Sequence, residues 1–241
     1  MIRPAKKTNS EIAREWDVAA PVRYRQIISG VDKTYNSFMI PLYVDETAQR
    51  NYEYVLDAGC GVGLLSRAVA GNVGAIQAID LSRGSVEIAI QKCALPNVTY
   101  SVGDVSLLSK RGFNLVIANM FFMDCLNLRD VVKALATSCA DGAVLLATIT
   151  NPFVWPRYWK YEGRKWFDYR KEIVIEADFR IMNETLPLKT THVHRPLSMY
   201  VDILRSSGFR IEAIGELTGA VGDAWKRSTP RYIFFRGVLR R

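Results

Sequence analysis

The sequence predicts an α/β fold built on a seven-stranded, mainly parallel sheet, and three observations lead there. Short aliphatic runs alternate with helical periodicity from Tyr54 to Ile149. Most of these runs deliver a polar residue at the carboxyl end, which is where open α/β sheets bind ligands. The first run passes directly into a glycine turn, Gly59-Cys60-Gly61-Val62-Gly63, and then into a helix opening at Leu64.

Ahead of that turn, residues 9–50 form an expected helical cap. Asn9 or Ser10 can cap a helix with apolar positions Ile12, Ala13, Trp16 and Ala20, ending before Pro21. A second helical stretch covers Arg23 to Ser29 and stops at Gly30; a third begins near Asp32 and carries Tyr35, Phe38 and Met39. Residues 51–149 are the expected ligand-binding core. Its strands are Tyr54 to Ala58, Ala75 to Ile79, Asn97 to Val102, Phe113 to Ala118 and Ala143 to Ile149, with helices at Ser85 to Cys93 and Leu128 to Cys139. Residues 150–195 break the rhythm. Aromatic side chains from Trp155 to Tyr169 interleave with arginines and lysines, and Ile175 to Ile181 alternates like a half-buried strand. This stretch reads as an inserted substrate cover. In residues 196–241, Pro196 starts a helix that Gly208 ends, and Phe209 to Ile214 and Arg231 to Val238 supply the last strands. A single domain over 1–241 is the economical organisation.

Composition narrows the function. Apolar residues make up 49% of the chain and charged residues 23%, which is ordinary for a soluble globular protein. No apolar run follows the charges near Met1, and the uncharged run Gly142 to Pro156 is too short to cross a bilayer. A cytoplasmic protein without a membrane span is expected, as a monomer or homodimer. The four cysteines are scattered with no C-x-x-C pair, and there are two histidines, so no metal site is expected. The net charge of +8 raises the question of a nucleic-acid partner. The basic residues are spread from Arg3 to Arg241 without a run, which favours a basic surface and no nucleic acid.

The glycine turn departs from the dinucleotide fingerprint, because Gly59, Gly61 and Gly63 are evenly spaced and Leu64 takes the place of a later glycine. Asp57 at the strand end would repel a pyrophosphate and attract a cation such as an ammonium or sulfonium. The string Val55-Leu56-Asp57-Ala58-Gly59-Cys60-Gly61-Val62-Gly63 resembles the first motif of class I S-adenosylmethionine-dependent methyltransferases. That resemblance implies a Rossmann-like doubly wound sheet, six strands parallel and one antiparallel. It also implies S-adenosylmethionine as cofactor and S-adenosylhomocysteine as product.

Asp80 ends the second strand, where a carboxylate can accept both ribose hydroxyls; Leu81 follows it. Gly103-Asp104-Val105 resembles the position in those enzymes that accepts a hydrogen bond from the adenine amine. Asn119-Met120 with Asp124 resembles the ubiquinone-methyltransferase-like small-molecule group, which implies that Asn119 and Met120 lie beside the donor's methionine portion. The prolines that base-methylating enzymes carry at this strand end are missing. His194-Arg195-Pro196-Leu197-Ser198 resembles the same group. If the acceptor is a hydroxyl or protonated amine, a base must take its proton, and His194, then His192, are the candidates. Tyr35 is an expected contact of the donor, and Trp155, Tyr158 and Asp124 of the acceptor. The leading expectation is methyl transfer to an oxygen or nitrogen of a small molecule in biosynthesis. An RNA methyltransferase or a non-catalytic nucleoside-binding protein are the alternatives.

Overall fold

A computed structural model describes residues 2–181, 184–218 and 228–241, with no account of side chains from 180 to 187. The strands are β1 (Arg3–Pro4), β2 (Tyr52–Ala58), β3 (Val73–Asp80), β4 (Val98–Val102), β5 (Phe113–Asn119), β6 (Cys139–Thr150), β7 (Ile173–Ile181), β8 (Glu184–His194), β9 (Phe209–Leu217) and β10 (Tyr232–Leu239). The helices are α1 (Asn9–Ile28), α2 (Ile40–Ala48), α3 (Leu64–Val69), α4 (Arg83–Cys93), α5 (Leu128–Ser138), α6 (Trp155–Tyr158) and α7 (Leu197–Ser206), with a π turn over Tyr35–Met39.

Seven strands form one sheet in the order β4-β3-β2-β5-β6-β10-β9. All run parallel except β10, which is antiparallel to both β6 and β9. This is the predicted six-plus-one arrangement. The order reverses between β2 and β5, so the crevice beyond their carboxyl ends is the switch point where such sheets bind ligands. Successive residues of the central strands point to opposite faces. Leu56, Val116 and Leu145 pack with Val132, Leu135 and Ile203 on one face; Val55, Leu115 and Val144 pack with Leu65 and Val69 on the other. A sheet covered on both sides explains why these strands read as continuous apolar runs.

The N-terminal expectation needs correction. The cap is Thr8, one residue before Asn9: the Glu11 N–H donates to Thr8 Oγ1 at 3.3 Å and the Thr8 N–H to Glu11 Oε2 at 2.8 Å, a reciprocal capping box. The helix also runs straight through Pro21 to Ile28. Proline removes one internal hydrogen bond, but Ala19 and Ala20 before it and Gln26 and Ile27 after it are buried, so packing on both sides holds the helix together.

The insert was read as a strand-bearing cover, and its second half forms a separate antiparallel sheet, β1-β7-β8. Ile175, Ala177 and Phe179 are buried as the alternation predicts, whereas Ile181 has its side chain outside the described residues. Strand β8 was not anticipated; His192 and His194 lie on it. The sheet is tied to α1 by partly buried charge. Lys7 Nζ donates to Glu15 Oε1 at 2.7 Å and Glu176 Oε2 at 2.6 Å, and Thr191 Oγ1 donates to Glu15 Oε1 at 3.1 Å. Cap and insert thereby meet each other over the crevice.

Candidate active site

The glycine turn is shaped by its own backbone. Gly59, Gly61 and Gly63 have φ of +72°, +52° and +78°, the left-handed region that side chains with a Cβ avoid. A Cβ on Gly59 would stand 2.3 Å from the Phe121 ring, and one on Gly63 2.7 Å from Ala89. Gly63 is therefore a packing glycine at the start of α3, whereas Gly61 faces open space. The Gly61 N–H donates to Asp80 Oδ2 at 2.8 Å, and the Ser82 N–H to Asp80 Oδ1 at 2.8 Å. Burial nevertheless pushes the Asp80 carboxyl up to about 6.

Asp57 is not where the sequence reading put it. It is 1% exposed, absent from the lining of the cavity in front of the turn, and accepts a 2.5 Å hydrogen bond from Ser66 Oγ. Burial raises it to about 7. Its carboxylate lies behind the turn and braces the start of α3.

The cavity in front of the turn is lined by Gly59, Gly61, Asp80, Leu81, Asn119 and Met120, and is roofed by Ile12, Trp16 and Tyr35 from the N-terminal cap. It continues past Phe121 to Asp104 and Val105. Asp104 also caps the short turn after it, accepting from the Ser106 N–H and Oγ at 2.8 and 2.7 Å, while Asn9 Nδ2 donates to its other oxygen at 2.9 Å. Met120 has a φ of +54°, uncommon for a residue with a side chain and a sign that this strand end is held in place for a purpose. What holds it is Thr148: its carbonyl accepts the Met120 N–H at 3.0 Å, and its hydroxyl donates to Asn119 Oδ1 at 2.7 Å.

A second cavity opens beside the first. Trp155, Tyr158 and Trp159 line it from the insert, with His192 from β8 and Tyr232 from β10. Trp16, Tyr35, Met120 and Asp124 line both cavities. Asp124 is held by its neighbourhood. Arg195, fully buried, donates to the carbonyls of Phe122, Cys125 and Leu126 at 3.0, 2.6 and 3.1 Å and pairs with Glu172, clamping the loop after β5. Burial raises the Asp124 carboxyl well above the usual range.

The two histidines exchange rank. His194 lines neither cavity; its Nε2 is 3.0 Å from the Tyr169 carbonyl and its ring packs among Tyr161, Phe167 and Tyr169. His192 faces the second cavity, with Nδ1 3.8 Å from Asp124 Oδ1. Burial, reinforced by the Arg195 charge, lowers it to about 3, so it is neutral at physiological pH. Residues that sequence reasoning left unassigned also line this space: Trp16, Thr191 and Arg231. Trp16 carried a helical-spacing signal, whereas nothing in the sequence marked Arg231.

Sheet order, switch-point crevice and glycine cradle define a Rossmann-like nucleoside-binding fold. Residues 55–142 match the family described as "Methyltransferase domain". Over 101 residues the chain is 33% identical to malonyl-[acyl-carrier protein] O-methyltransferase of Priestia megaterium, a match spanning 40% of this chain and 37% of that one. It is 30% identical over 70 residues to ubiquinone biosynthesis O-methyltransferase of Coxiella burnetii, 28% of this chain and 30% of the relative. The chain thus spans about a third of the length of these curated relatives. N-methyltransferase NodS of Bradyrhizobium japonicum, solved in complex with S-adenosylhomocysteine, shares the fold at a TM-score of 0.63 and 13% identity, covering 98% of this chain and 100% of that one. Residues 55–142 thus resemble a methyltransferase domain, and the fold is the one that class I S-adenosylmethionine-dependent methyltransferases share, a class whose cofactor is S-adenosylmethionine. The cradle fits that cofactor: the cavity combines the Asp80 carboxylate, backbone at Gly61 open to close approach, and Tyr35 and Trp16 rings suited to a sulfonium.

Proposed function

We propose that the protein transfers a methyl group from S-adenosylmethionine to an oxygen or nitrogen of a small molecule seated in the aromatic second cavity. The observation that carries this reading is the wall common to the two cavities, where Trp16, Tyr35, Met120 and Asp124 face both. Donor and acceptor held on either side of those residues would meet there. When bound, S-adenosylmethionine supplies an electrophilic methyl carbon and is left as S-adenosylhomocysteine.

The residues take the following parts in this proposal. Asp80 accepts the ribose hydroxyls with Leu81 beside it, and Asp104 accepts from the adenine amine with Val105 against the base. Gly59 and Gly61 admit the donor to the backbone. Arg23, whose guanidinium also meets Asp32 Oδ2 at 3.1 Å, is the cation of that cavity and faces the donor's carboxylate. Asn119 and Met120 flank the methionine portion. Trp155 and Tyr158 hold the acceptor. Helix α1 and the insert exclude water and fix the in-line approach, which is the main contribution an enzyme makes to a displacement of this kind.

The acceptor's proton goes to His192. Its imidazole is neutral, so a lone pair is available, and a hydroxyl becomes acidic as its oxygen gains the methyl carbon. Asp124 Oδ1 stands 3.8 Å from Nδ1 and is the carboxyl that faces the ring. His194 has no part in the chemistry. The protein is proposed to work in the cytoplasm as a single-domain monomer or homodimer, in small-molecule biosynthesis. The name of the ubiquinone biosynthesis relative supports that choice of acceptor, as does the lining of the second cavity by residues of α1 and β8. Calorimetry with S-adenosylmethionine and S-adenosylhomocysteine tests the premise: binding of both is expected, and binding of neither ends this reading.

A further inference from the structure

We propose that the second cavity takes an acceptor bearing a carboxylate, held side-on by Arg231, and that the methyl group goes to a different atom of that acceptor. This rests on the assignment of the second cavity as the acceptor site. Arg231 is 3% exposed, yet its Nε and Nη2 have no hydrogen-bond partner among the described residues. These two nitrogens present their N–H groups on the same edge of the guanidinium, the edge that receives the two oxygens of a carboxylate in parallel. Burying two guanidinium nitrogens without a hydrogen bond is costly, and an anion on that edge completes them.

The position is built and not incidental. The Asn151 N–H donates to the Arg231 carbonyl at 2.8 Å and Asn151 Nδ2 to the Pro230 carbonyl at 2.7 Å, fixing the backbone just where β10 begins. The guanidinium carbon lies 5.7 and 5.6 Å from the ring centres of Tyr158 and Tyr232, so the side chain is held between aromatic faces. The acids of the cavity are engaged elsewhere. Asp32 accepts from Arg23 at 3.1 Å and from the Tyr35 N–H at 3.0 Å, and Asp124 faces His192. Trp155, stacked on Tyr158 at 5.1 Å between ring centres, also has a buried Nε1 without a hydrogen-bond partner among the described residues, a second donor for an acceptor atom.

Arg231 is the one permanent cation lining this cavity among the described residues, and its surroundings are flat aromatic rings. One cation and aromatic walls suit the single charge of an aromatic carboxylic acid; a phosphate would bring a second charge with nothing to meet it. Arg231 lines the second cavity but not the donor cavity. A carboxylate anchored there sits away from the common wall, so the atom facing Met120 and Asp124 receives the methyl group and the carboxylate stays free.

Calorimetry on the full chain saturated with S-adenosylhomocysteine tests this with 4-hydroxybenzoate, 4-hydroxybenzamide and inorganic phosphate as probes. The acid is expected to bind about tenfold or more tightly than the neutral amide, and phosphate not to displace it. In Arg231→Met the acid should fall to the level of the amide while S-adenosylhomocysteine binds as before. Equal affinity for acid and amide, an acid affinity indifferent to Arg231→Met, displacement by phosphate, or no binding of the acid each overturns the inference. Failure of S-adenosylhomocysteine itself to bind would instead remove the donor reading beneath it. Should Arg231→Met not fold, the comparison of acid with amide on the unaltered protein decides.

Discussion

The donor side and the acceptor side of the crevice are made in different ways. Between Asp57 and Val105 the chain turns three times at the ends of neighbouring parallel strands, and each turn sets one part of the proposed donor site: the glycine cradle after β2, Asp80 at the end of β3, Asp104 after β4. The acceptor side draws Trp16 from α1, Tyr35 from the π turn, Asp124 from the loop after β5, Trp155 from α6, His192 from β8 and Arg231 from the start of β10. Donor contacts follow from backbone geometry repeated strand by strand, while acceptor contacts follow from convergence of distant segments. The contrast teaches that one half of the crevice is made by local turns at strand ends and the other half by the meeting of distant segments.

Perturbing one half without the other is the way to test that separation, and the largest effect is expected on the acceptor side. His192→Gln should lower kcat by about 1,000-fold, the scale of general-base catalysis, with S-adenosylhomocysteine affinity unchanged. His194→Gln should keep kcat within about threefold, since its ring serves packing. Turnover by His192→Gln at the normal rate would remove His192 as the proton acceptor. Asp80→Ala should act in the opposite sense. The loss of charge-assisted hydrogen bonds from two hydroxyls weakens S-adenosylhomocysteine by about 100-fold in calorimetry. Acid probes in the second cavity would then bind as before only if the two halves are independent.

A smaller effect comes from pH. Burial raises Asp80 to about 6, so its ionised, hydroxyl-accepting form dominates above that value. S-adenosylhomocysteine affinity should fall about tenfold between roughly pH 7 and roughly pH 5, and the slope should vanish in Asp80→Asn. For the unliganded fold the sign is reversed. A raised carboxyl binds its proton more tightly in the folded than in the unfolded chain, so Asp80 and Asp57 reduce stability as pH rises from about 4 to about 7. The smallest effect lies where cap meets insert. Lys7→Met removes the cation between Glu15 and Glu176 and should cost about 1 kcal/mol, read as a midpoint lower by a few degrees in thermal unfolding.

Much of the donor half was legible beforehand. The strands from Tyr54 to Ile149, the glycine turn, and Asp80 and Asp104 at their strand ends are local patterns, and the structure keeps them within a few residues of the expected bounds. Asp57 illustrates the limit: its place at a strand end is readable, but whether its carboxylate faces the ligand or turns back to Ser66 depends on the helix behind it. Helix α1 illustrates another, because Pro21 signals a break locally and burial of Ala19, Ala20 and Ile27 overrides it.

By itself the sequence determined the sheet, its strand succession and the glycine turn, since strand periodicity and glycine turns are encoded within a few neighbouring residues. Tertiary structure alone decided the acceptor side. Residues as far apart as Trp16 and Arg231 share a cavity only after the cap and the insert close on each other. Of two histidines two positions apart, it set one beside Asp124 and the other among aromatic rings. It also buried the Arg231 guanidinium with Nε and Nη2 unbonded among the described residues, the feature on which the proposed carboxylate rests. Burial is the physical reason in each case, because it is a property of the packed chain and not of any stretch of it.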